Sequence, residues 1–380
     1  MPTPTLPRTL DLASLLANKS HFLLGPRQTG KTTLIRDTLP GVRSYDLLDS
    51  RVFLDLSRSP QRLAEEVDAT TKIVAIDEIQ RLPELLNEVH RLIESRGIHF
   101  LLTGSSARAL RRGGVNLLGG RARTKYLHPL TRSELGAHFD LARAIERGTI
   151  PSIYFSDDPA ADLDAYAGIY LQQEVIAEGA TRNAQAFSRF LRVAALCNGH
   201  IVNFTKIAND AQVPRTTVYE YFEILKDTLI IHELPAWQQS TRRKPIMSSK
   251  YYFFDVGVAS QLQGRPIKRE TPEFGGGFEA YVMHELKAYV DYRSADDLRY
   301  WRSLSGFEVD FILGDHTAIE IKATRTVTAD HLKGLRALAE EQRFQRYLCV
   351  AMVDRPRTVD GITVIPWRHF LDALWAGEYR

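Results

Sequence analysis

Three groups of residues in this sequence could do chemistry. The first is Gly25-Pro26-Arg27-Gln28-Thr29-Gly30-Lys31-Thr32-Thr33, which contains the complete G-x-x-x-x-G-K-[ST] spacing. Small residues where the chain turns let backbone N–H groups wrap a polyphosphate. A helix starting at the lysine aims its unpaired N–H groups and positive dipole end at the same anion. Lys31 is placed to reach the β- and γ-phosphates of ATP, and the Thr32 hydroxyl to ligate Mg2+. All nine loop residues are assigned to nucleotide binding. The second group is Asp77-Glu78, which follows the apolar run Ile73–Ile76. Asp77 would hold the Mg2+ through water, and Glu78 would orient or deprotonate an attacking water. The third is Asp310, then nine residues, then Glu320-Ile321-Lys322, with Glu279 upstream. Two carboxylates on paired strands can share one divalent ion, and residues i and i+2 of a strand share a face. Asp310 and Glu320 would hold the metal, Lys322 would position water or offset charge, and Glu279 would add a carboxylate.

The elements around the first two groups follow from local pattern. Phe22–Leu24 reads as a buried strand entering the loop, and Thr32–Leu39 as the helix leaving it, stopped by Pro40-Gly41. Leu10–Lys19 reads as an amphipathic helix. Arg43–Leu48, Ile73–Ile76, Ile98–Leu102 and Thr124–Leu127 read as further strands, with a helix over Pro83–Glu94. Strands alternating with helices predict a parallel sheet covered on both faces. A hydroxyl at the Thr103-Gly104-Ser105-Ser106 tip would lie beside the acidic pair and could sense the γ-phosphate.

Taken together, several segments resemble the prokaryotic AAA+-type ATPases of the "archaeal ATPase" group over Leu10–Glu134. These are the phosphate loop, the strand ending Asp77-Glu78-Ile79-Gln80, the Leu-Thr-Gly-Ser-Ser tip, and Gly120-Arg121 before Leu127-His128-Pro129-Leu130 and Glu134-Leu135. The resemblance implies a self-associating ATPase, a homo-oligomer and in its fullest form a hexameric ring. It also implies that Thr103 or Ser105 is the sensor and that Arg121 acts on nucleotide, in cis or from a neighbour. The alternative for Arg121 is a surface arginine in a basic loop with Arg108, Arg111, Arg112 and Arg123, a loop that could equally touch phosphodiesters.

Leu135–Gly148 and Leu163–Glu178 read as helices of a lid over the nucleotide. Phe204–Asp210, a turn at Ala211–Pro214, a helix over Arg215–Lys226 and a strand over Thr228–Glu233 form a winged-helix pattern. Its second helix would offer Arg215, Thr216 and Thr217 to DNA, with Arg242, Arg243 and Lys244 beyond the wing. The alternative is a packing or oligomer contact. This segment resembles a domain of unassigned function that follows such ATPases. Gly275–Gly277 reads as a flexible boundary, Phe278–Val290 as a helix, and Leu298–Arg302, Glu308–Leu313 and Ala318–Lys322 as strands. The Asp310…Glu320-x-Lys322 spacing in that hairpin is similar to the PD-(D/E)XK nucleases, which implies metal-dependent DNA cleavage. The Gly-x-Phe-Glu fragment at Glu279 resembles archaeal Holliday-junction resolvases, and Glu285 is the fallback carboxylate.

At 380 residues, 44% hydrophobic and 25% charged, the chain is expected to form two or three globular domains. The fold class expected is α/β. Residues 1–130 form a parallel-sheet ATPase domain, 131–186 a helical lid, 187–245 a winged helix and 246–380 a PD-(D/E)XK-like domain. A net charge of +3 excludes a global polyanion-binding argument, so basic surface must be local. Cys197 and Cys349 sit in apolar runs and read as buried thiols, which fits a cytoplasmic protein. Met1–Leu10 lacks signal-peptide character, and no apolar run approaches the roughly 20 residues of a membrane span. The function expected is a DNA-dependent ATPase that uses ATP and Mg2+ on duplex or branched DNA, coupled to metal-dependent cleavage. The alternative is a nucleotide-switched regulator whose C-terminal domain binds DNA or protein without cutting.

Overall fold

The structure, a computed structural model, describes residues 4–379 except 69, 107, 109–117, 172–182 and 294–295. Arg111, Arg112 and the expected lid helix beyond residue 171 lie outside the described residues.

Five parallel strands form the first sheet in the order β2-β3-β4-β1-β5. They are β1 (Ser20–Leu24), β2 (Arg43–Asp46), β3 (Ile73–Asp77), β4 (His99–Gly104) and β5 (Ala122–Tyr126). The α/β parallel-sheet expectation holds. β1 is buried at all five positions, and β3 and β4 at all but their first residues. Such unbroken apolar runs are what a sheet covered on both faces requires. The helix Lys31–Thr38 leaves β1, and β3 and β4 flank one another with Ile76 opposite Leu102. That register brings the Asp77-Glu78 and Thr103–Ser105 tips to one edge of the sheet.

Helices then run from Arg132 to Asp164, and Pro151 and Ser152 border the cleft in front of the phosphate loop. Phe204–Ala211 and Arg215–Asp227 pack as a helical pair. Thr228 closes the second helix on Ile224, and Leu229 at φ 60° reverses the chain. The strand expected from Thr228 therefore starts later, as β6 (Ile231–Leu234), paired antiparallel with β7 (Lys250–Phe253). Residues between β6 and β7 do not form a free wing. Trp237 is 1% exposed, and its backbone N–H donates to Tyr300 at 2.6 Å, while that of Ile246 donates to Arg302 at 2.7 Å.

The third sheet has the order β12-β13-β11-β10-β9-β8. It contains β8 (Leu298–Arg302), β9 (Glu308–Leu313), β10 (Thr317–Lys322), β11 (Arg346–Ala351), β12 (Arg357–Val359) and β13 (Ile362–Pro366). β8, β9 and β10 are antiparallel neighbours, whereas β10, β11 and β13 run parallel. Lys333–Ala339 and Trp367–Ala376 cover the sheet.

One helix, Phe274–Arg293, reaches several parts of the molecule. It contacts β5 of the first sheet, the helix Leu141–Arg147, and β8 and β10 of the third sheet. The flexible boundary expected at Gly275–Gly277 is instead the first turn of this helix. Close packing explains the glycine at 277: a Cβ there would stand 2.7 Å from Ile145 and 3.0 Å from Ile267. At Gly276 nothing lies within 4 Å. Gly277→Val is expected to cost about 1–3 kcal/mol through overpacking. Gly276→Ala should stabilise by roughly 0.5–1 kcal/mol through helix propensity. Chemical denaturation of both variants would show opposite shifts; equal shifts would contradict this packing.

Candidate functional site

The nucleotide cleft is built at the edge where β1, β3 and β4 end. Thr32 Oγ1 donates to Asp77 Oδ2 at 2.5 Å. Thr103 Oγ1 donates to the other oxygen, Oδ1, and accepts the Glu78 backbone N–H at 3.2 Å. Thr103 is thus held against the acidic pair. Lys31 Nζ is buried and donates to Gly25 O at 2.8 Å and Pro26 O at 3.1 Å, spanning the loop it follows. Thr29 Oγ1 donates to Pro26 O at 2.8 Å, and Arg8 donates to Thr29 O at 2.7 Å. Gly30, Thr33 and Glu78 border the cleft. The helical segment reaches the loop from the far side: Ser152 Oγ donates to Gln28 Oε1 at 2.8 Å, and Tyr166 OH to Arg27 O at 3.2 Å. Paired hydroxyl and carboxylate oxygens at Thr32 and Asp77 suit a hard divalent ion such as Mg2+.

Ser105 contacts Gln80 at 3.3 Å, and Gln80 in turn donates to Glu78 Oε2. Glu78 itself sits at φ 59°, ψ 43°, a left-handed conformation costly for a non-glycine residue. Arg121 is different. β5 runs parallel to β1 with Ala122 opposite Ser20 and Tyr126 opposite Leu24. Arg121 therefore stands at the opposite end of the sheet from the loop, roughly 15–20 Å of strand away. It pairs there with Glu94. Action in cis fails on this register; action from a neighbouring copy does not depend on it.

The third sheet assembles a second polar centre. Asp310 lies on β9, and its Oδ2 accepts the Ile321 backbone N–H at 2.8 Å. Glu320 and Lys322 lie on β10, with Lys322 Nζ 2.5 Å from Glu320 Oε1 and 4.0 Å from Asp310 Oδ2. Glu320 Oε2 is buried without a hydrogen-bond partner, which is the kind of orphaned acceptor a cation would satisfy. Glu279 enters from the long helix and accepts Tyr252 OH at 2.6 Å. Burial, then the Asp310 charge, pushes the Glu279 carboxyl up to about 7. The same causes hold the Glu320 carboxyl well above the usual range. Burial opposes the charge of Lys322, but Asp310 and Glu320 outweigh it and raise its affinity for the proton.

Three members of this centre are absent from the sequence reading. Lys250 Nζ lies 2.5 Å from Glu308 Oε1 and 3.9 Å from Glu279 Oε1, above the Tyr300 ring. Tyr252 stands two residues on, on the same face of β7. The one available signal was a lysine inside an otherwise aromatic strand, Lys250-Tyr251-Tyr252-Phe253. Glu285, the fallback carboxylate, is no candidate. It accepts Arg132 N at 2.6 Å, Tyr281 OH at 2.6 Å and Trp375 Nε1 at 2.8 Å, so it holds three elements together.

The residues read as DNA contacts divide. Arg215 and Thr216 are exposed and Thr217 half-buried at the start of their helix, with Arg215 donating to Tyr219 OH at 2.9 Å. Arg243 packs over Phe307 and pairs with Glu340 at 2.8 Å. Arg242 and Lys244 are exposed, though the Arg242 backbone N–H is tied to Glu341 at 3.0 Å.

The raised Glu279 carboxyl sets a pH dependence. A folded-state value near 7 against an ordinary value of 4.5 favours the folded state while the group is protonated. That contribution is full below about 4.5 and is lost as pH rises toward 7. Wild type is therefore expected to lose melting temperature relative to Glu279→Gln between pH 4.5 and 7. Parallel melting curves across that window would contradict the assignment.

Comparison with known proteins places these parts. Residues 17–136 match the family model described as AAA domain. Residues 138–269 and 274–370 match two models described as domains of unknown function, DUF8612 and DUF4143. An uncharacterized protein of Mycobacterium tuberculosis is 28% identical over 334 residues, covering 83% of this chain and 74% of the relative. One of Haemophilus influenzae is 23% identical over 379 residues, covering 90% and 91%. Among solved structures, a signal-transduction ATPase with a tetratricopeptide-repeat sensor from Pyrococcus horikoshii aligns at 14% identity and a TM-score of 0.24. That alignment covers 74% of this chain, which spans about half that protein's length, 46%. Among the described residues no helix is long and apolar enough to cross a membrane. The chain carries an AAA-type P-loop ATPase domain, joined to a DUF4143 domain through a second segment to which no function is assigned.

Proposed function

We propose that the protein hydrolyses ATP at the phosphate loop and uses the cycle to act on duplex or branched DNA. The observation that carries the first half is the Thr32–Asp77 contact, with Lys31 and Glu78 beside it. Lys31 leaves its loop carbonyls to meet the β- and γ-phosphates. Thr32 and Asp77 would hold Mg2+, which would supply charge to offset that of the phosphates. Glu78 takes a proton from the attacking water, and Thr103 and Ser105 register the γ-phosphate from the neighbouring strand tip. Arg121 of a neighbouring copy would complete the site, which makes a ring the working assembly.

DNA would lie against Arg215, Thr216 and Thr217, with Arg242 and Lys244 adding phosphate contacts. Arg243 is spent on packing and adds little. Asp310 and Glu320 would hold a divalent ion at the C-terminal centre, with Lys322 beside the scissile phosphate and Glu279 supporting. The unpartnered Glu320 Oε2 supports that reading. A second reading is favoured by Lys250 and Lys322, which already neutralise much of the cluster. Among the described residues no three His, Cys, Asp or Glu side chains converge as a metal cage. On that reading the C-terminal domain binds DNA or protein without cutting, and the nucleotide acts as a switch.

ATP turnover with and without single-stranded, duplex and four-way DNA tests the proposal. DNA should stimulate turnover. Lys31→Ala should lose ATP affinity, and Glu78→Gln should keep affinity while slowing turnover by about 100-fold or more. Nicking of supercoiled and branched DNA with Mg2+ or Mn2+ should vanish in Asp310→Ala while ATP turnover persists. DNA binding without nicking in wild type would select the second reading. Turnover indifferent to every DNA would remove DNA from the function.

A further inference from the structure

Gln80 has no role in the chemistry described so far, yet it joins the two strand tips that build the nucleotide cleft. It lies in the single helical turn Ile79–Arg81 that follows β3. Arg81 anchors that turn, donating to Leu47 O at 2.8 Å, so the Gln80 side chain is aimed by a fixed backbone. Its amide nitrogen donates to Glu78 Oε2 and meets Ser105 Oγ at 3.3 Å. Its amide oxygen is buried and accepts no hydrogen bond. A glutamine that leaves a buried acceptor unsatisfied in order to present its N–H to a carboxylate is held in place for donation. The neighbouring backbone is shaped to admit it. A Cβ on Gly104 would lie 2.6 Å from Gln80 Oε1, so glycine at 104 makes the space the amide occupies. Glu78 itself takes a left-handed backbone conformation at φ 59°, ending the strand just before that turn.

We infer that Gln80 is the positioning residue for Glu78. It ties the carboxylate to Ser105 at the tip of β4, so that the group taking the proton from the attacking water is oriented by the strand that faces the γ-phosphate. This rests on the ATP-hydrolysis reading of the same site. Gln80 does not touch nucleotide in this account; it acts through Glu78. The consequence is a separation of turnover from affinity. Losing the amide donor leaves the phosphate loop, Lys31 and Thr32 intact, so ATP should bind as before. The misaligned carboxylate should slow the chemical step.

The test uses the full chain, with steady-state ATP hydrolysis and the binding of a non-hydrolysable ATP analogue measured in parallel. Gln80→Glu keeps shape and size but replaces the donor with a second carboxylate. It is expected to lower kcat by about 10- to 100-fold, with KM and analogue affinity unchanged within about twofold. Gly104→Ala should produce the same split, because its methyl group displaces the amide. Gln80→Lys, which keeps a donor at similar reach, should recover most of kcat. A Gln80→Glu protein that turns over ATP at the wild-type rate overturns the inference. So does one that loses affinity in step with kcat, or a Gln80→Lys protein as slow as Gln80→Glu. Glu78→Gln run alongside separates this from the parent reading. Equal turnover by wild type and Glu78→Gln removes Glu78, and Gln80 with it. An inactive Glu78→Gln with a fully active Gln80→Glu removes Gln80 alone.

Discussion

The helix Phe274–Arg293 is buried along most of its length, with 13 of its 20 residues out of solvent, and much else is arranged to permit that. A helix buried on several faces must satisfy every polar side chain it carries, since an unpaired buried group costs about 1–3 kcal/mol. Several of its polar residues find partners on other parts of the chain, although the Tyr289 OH is buried without one. Tyr292 OH receives Arg8 at 3.3 Å and the His128 backbone N–H at 3.0 Å. Asp291 pairs with His128 at 2.6 Å and Lys287 at 2.7 Å, and its carboxyl is held far below the usual range despite burial. His284 meets Leu130 O at 3.2 Å, and Glu285 holds Arg132, Tyr281 and Trp375. The helix, which opens the segment matched by the DUF4143 model, is also a wall shared with the first sheet and the helices around Leu141–Arg147.

That wall is in reach of both polar centres. Arg8 donates both to Thr29 O of the phosphate loop and to Tyr292 of the helix, and pairs with Glu134 at 3.1 Å. Glu279, four turns earlier on the same helix, belongs to the carboxylate centre on the third sheet. The phosphate loop and the far centre therefore share this one buried helix, through Arg8 and Tyr292 at one end and Glu279 at the other. The β6–β7 pair adds a second tie, because Lys250 and Tyr252 on β7 reach into the same carboxylates.

The two centres differ in electrostatic economy. At the nucleotide cleft, Asp77 accepts from two hydroxyls, Thr32 and Thr103. Its oxygens, beside the Thr32 hydroxyl, are hard donors of the kind a divalent metal takes. At the third sheet, Lys250, Lys322 and Arg302 already stand among Glu279, Glu308, Asp310 and Glu320. Desolvating several like charges is expensive, which is why two of those carboxyls hold their protons more tightly.

The sequence by itself determined the first sheet and its cleft, because the information there is local. Gly25, Gly30, Lys31 and Thr32 lie within eight positions, and the short unbroken apolar runs before Asp77 and Thr103 read as strands of a doubly covered sheet. The β9–β10 hairpin was legible for the same reason, since Asp310, Glu320 and Lys322 sit on adjacent strands joined by a tight turn. Only the tertiary structure decided the rest. Strand order put Arg121 at the far end of the sheet from its own loop, a matter of which strands pair and in what register. Packing against Ile145 and Ile267 turned Gly277 from an apparent hinge into a helix contact. Lys250 joined a cluster whose carboxylates lie between 29 and 70 positions away, and Gln80 met Ser105 across 25 positions. No periodicity records such meetings. They arise when a buried group must find a partner, and the nearest one in space is set by the fold rather than by the order of residues.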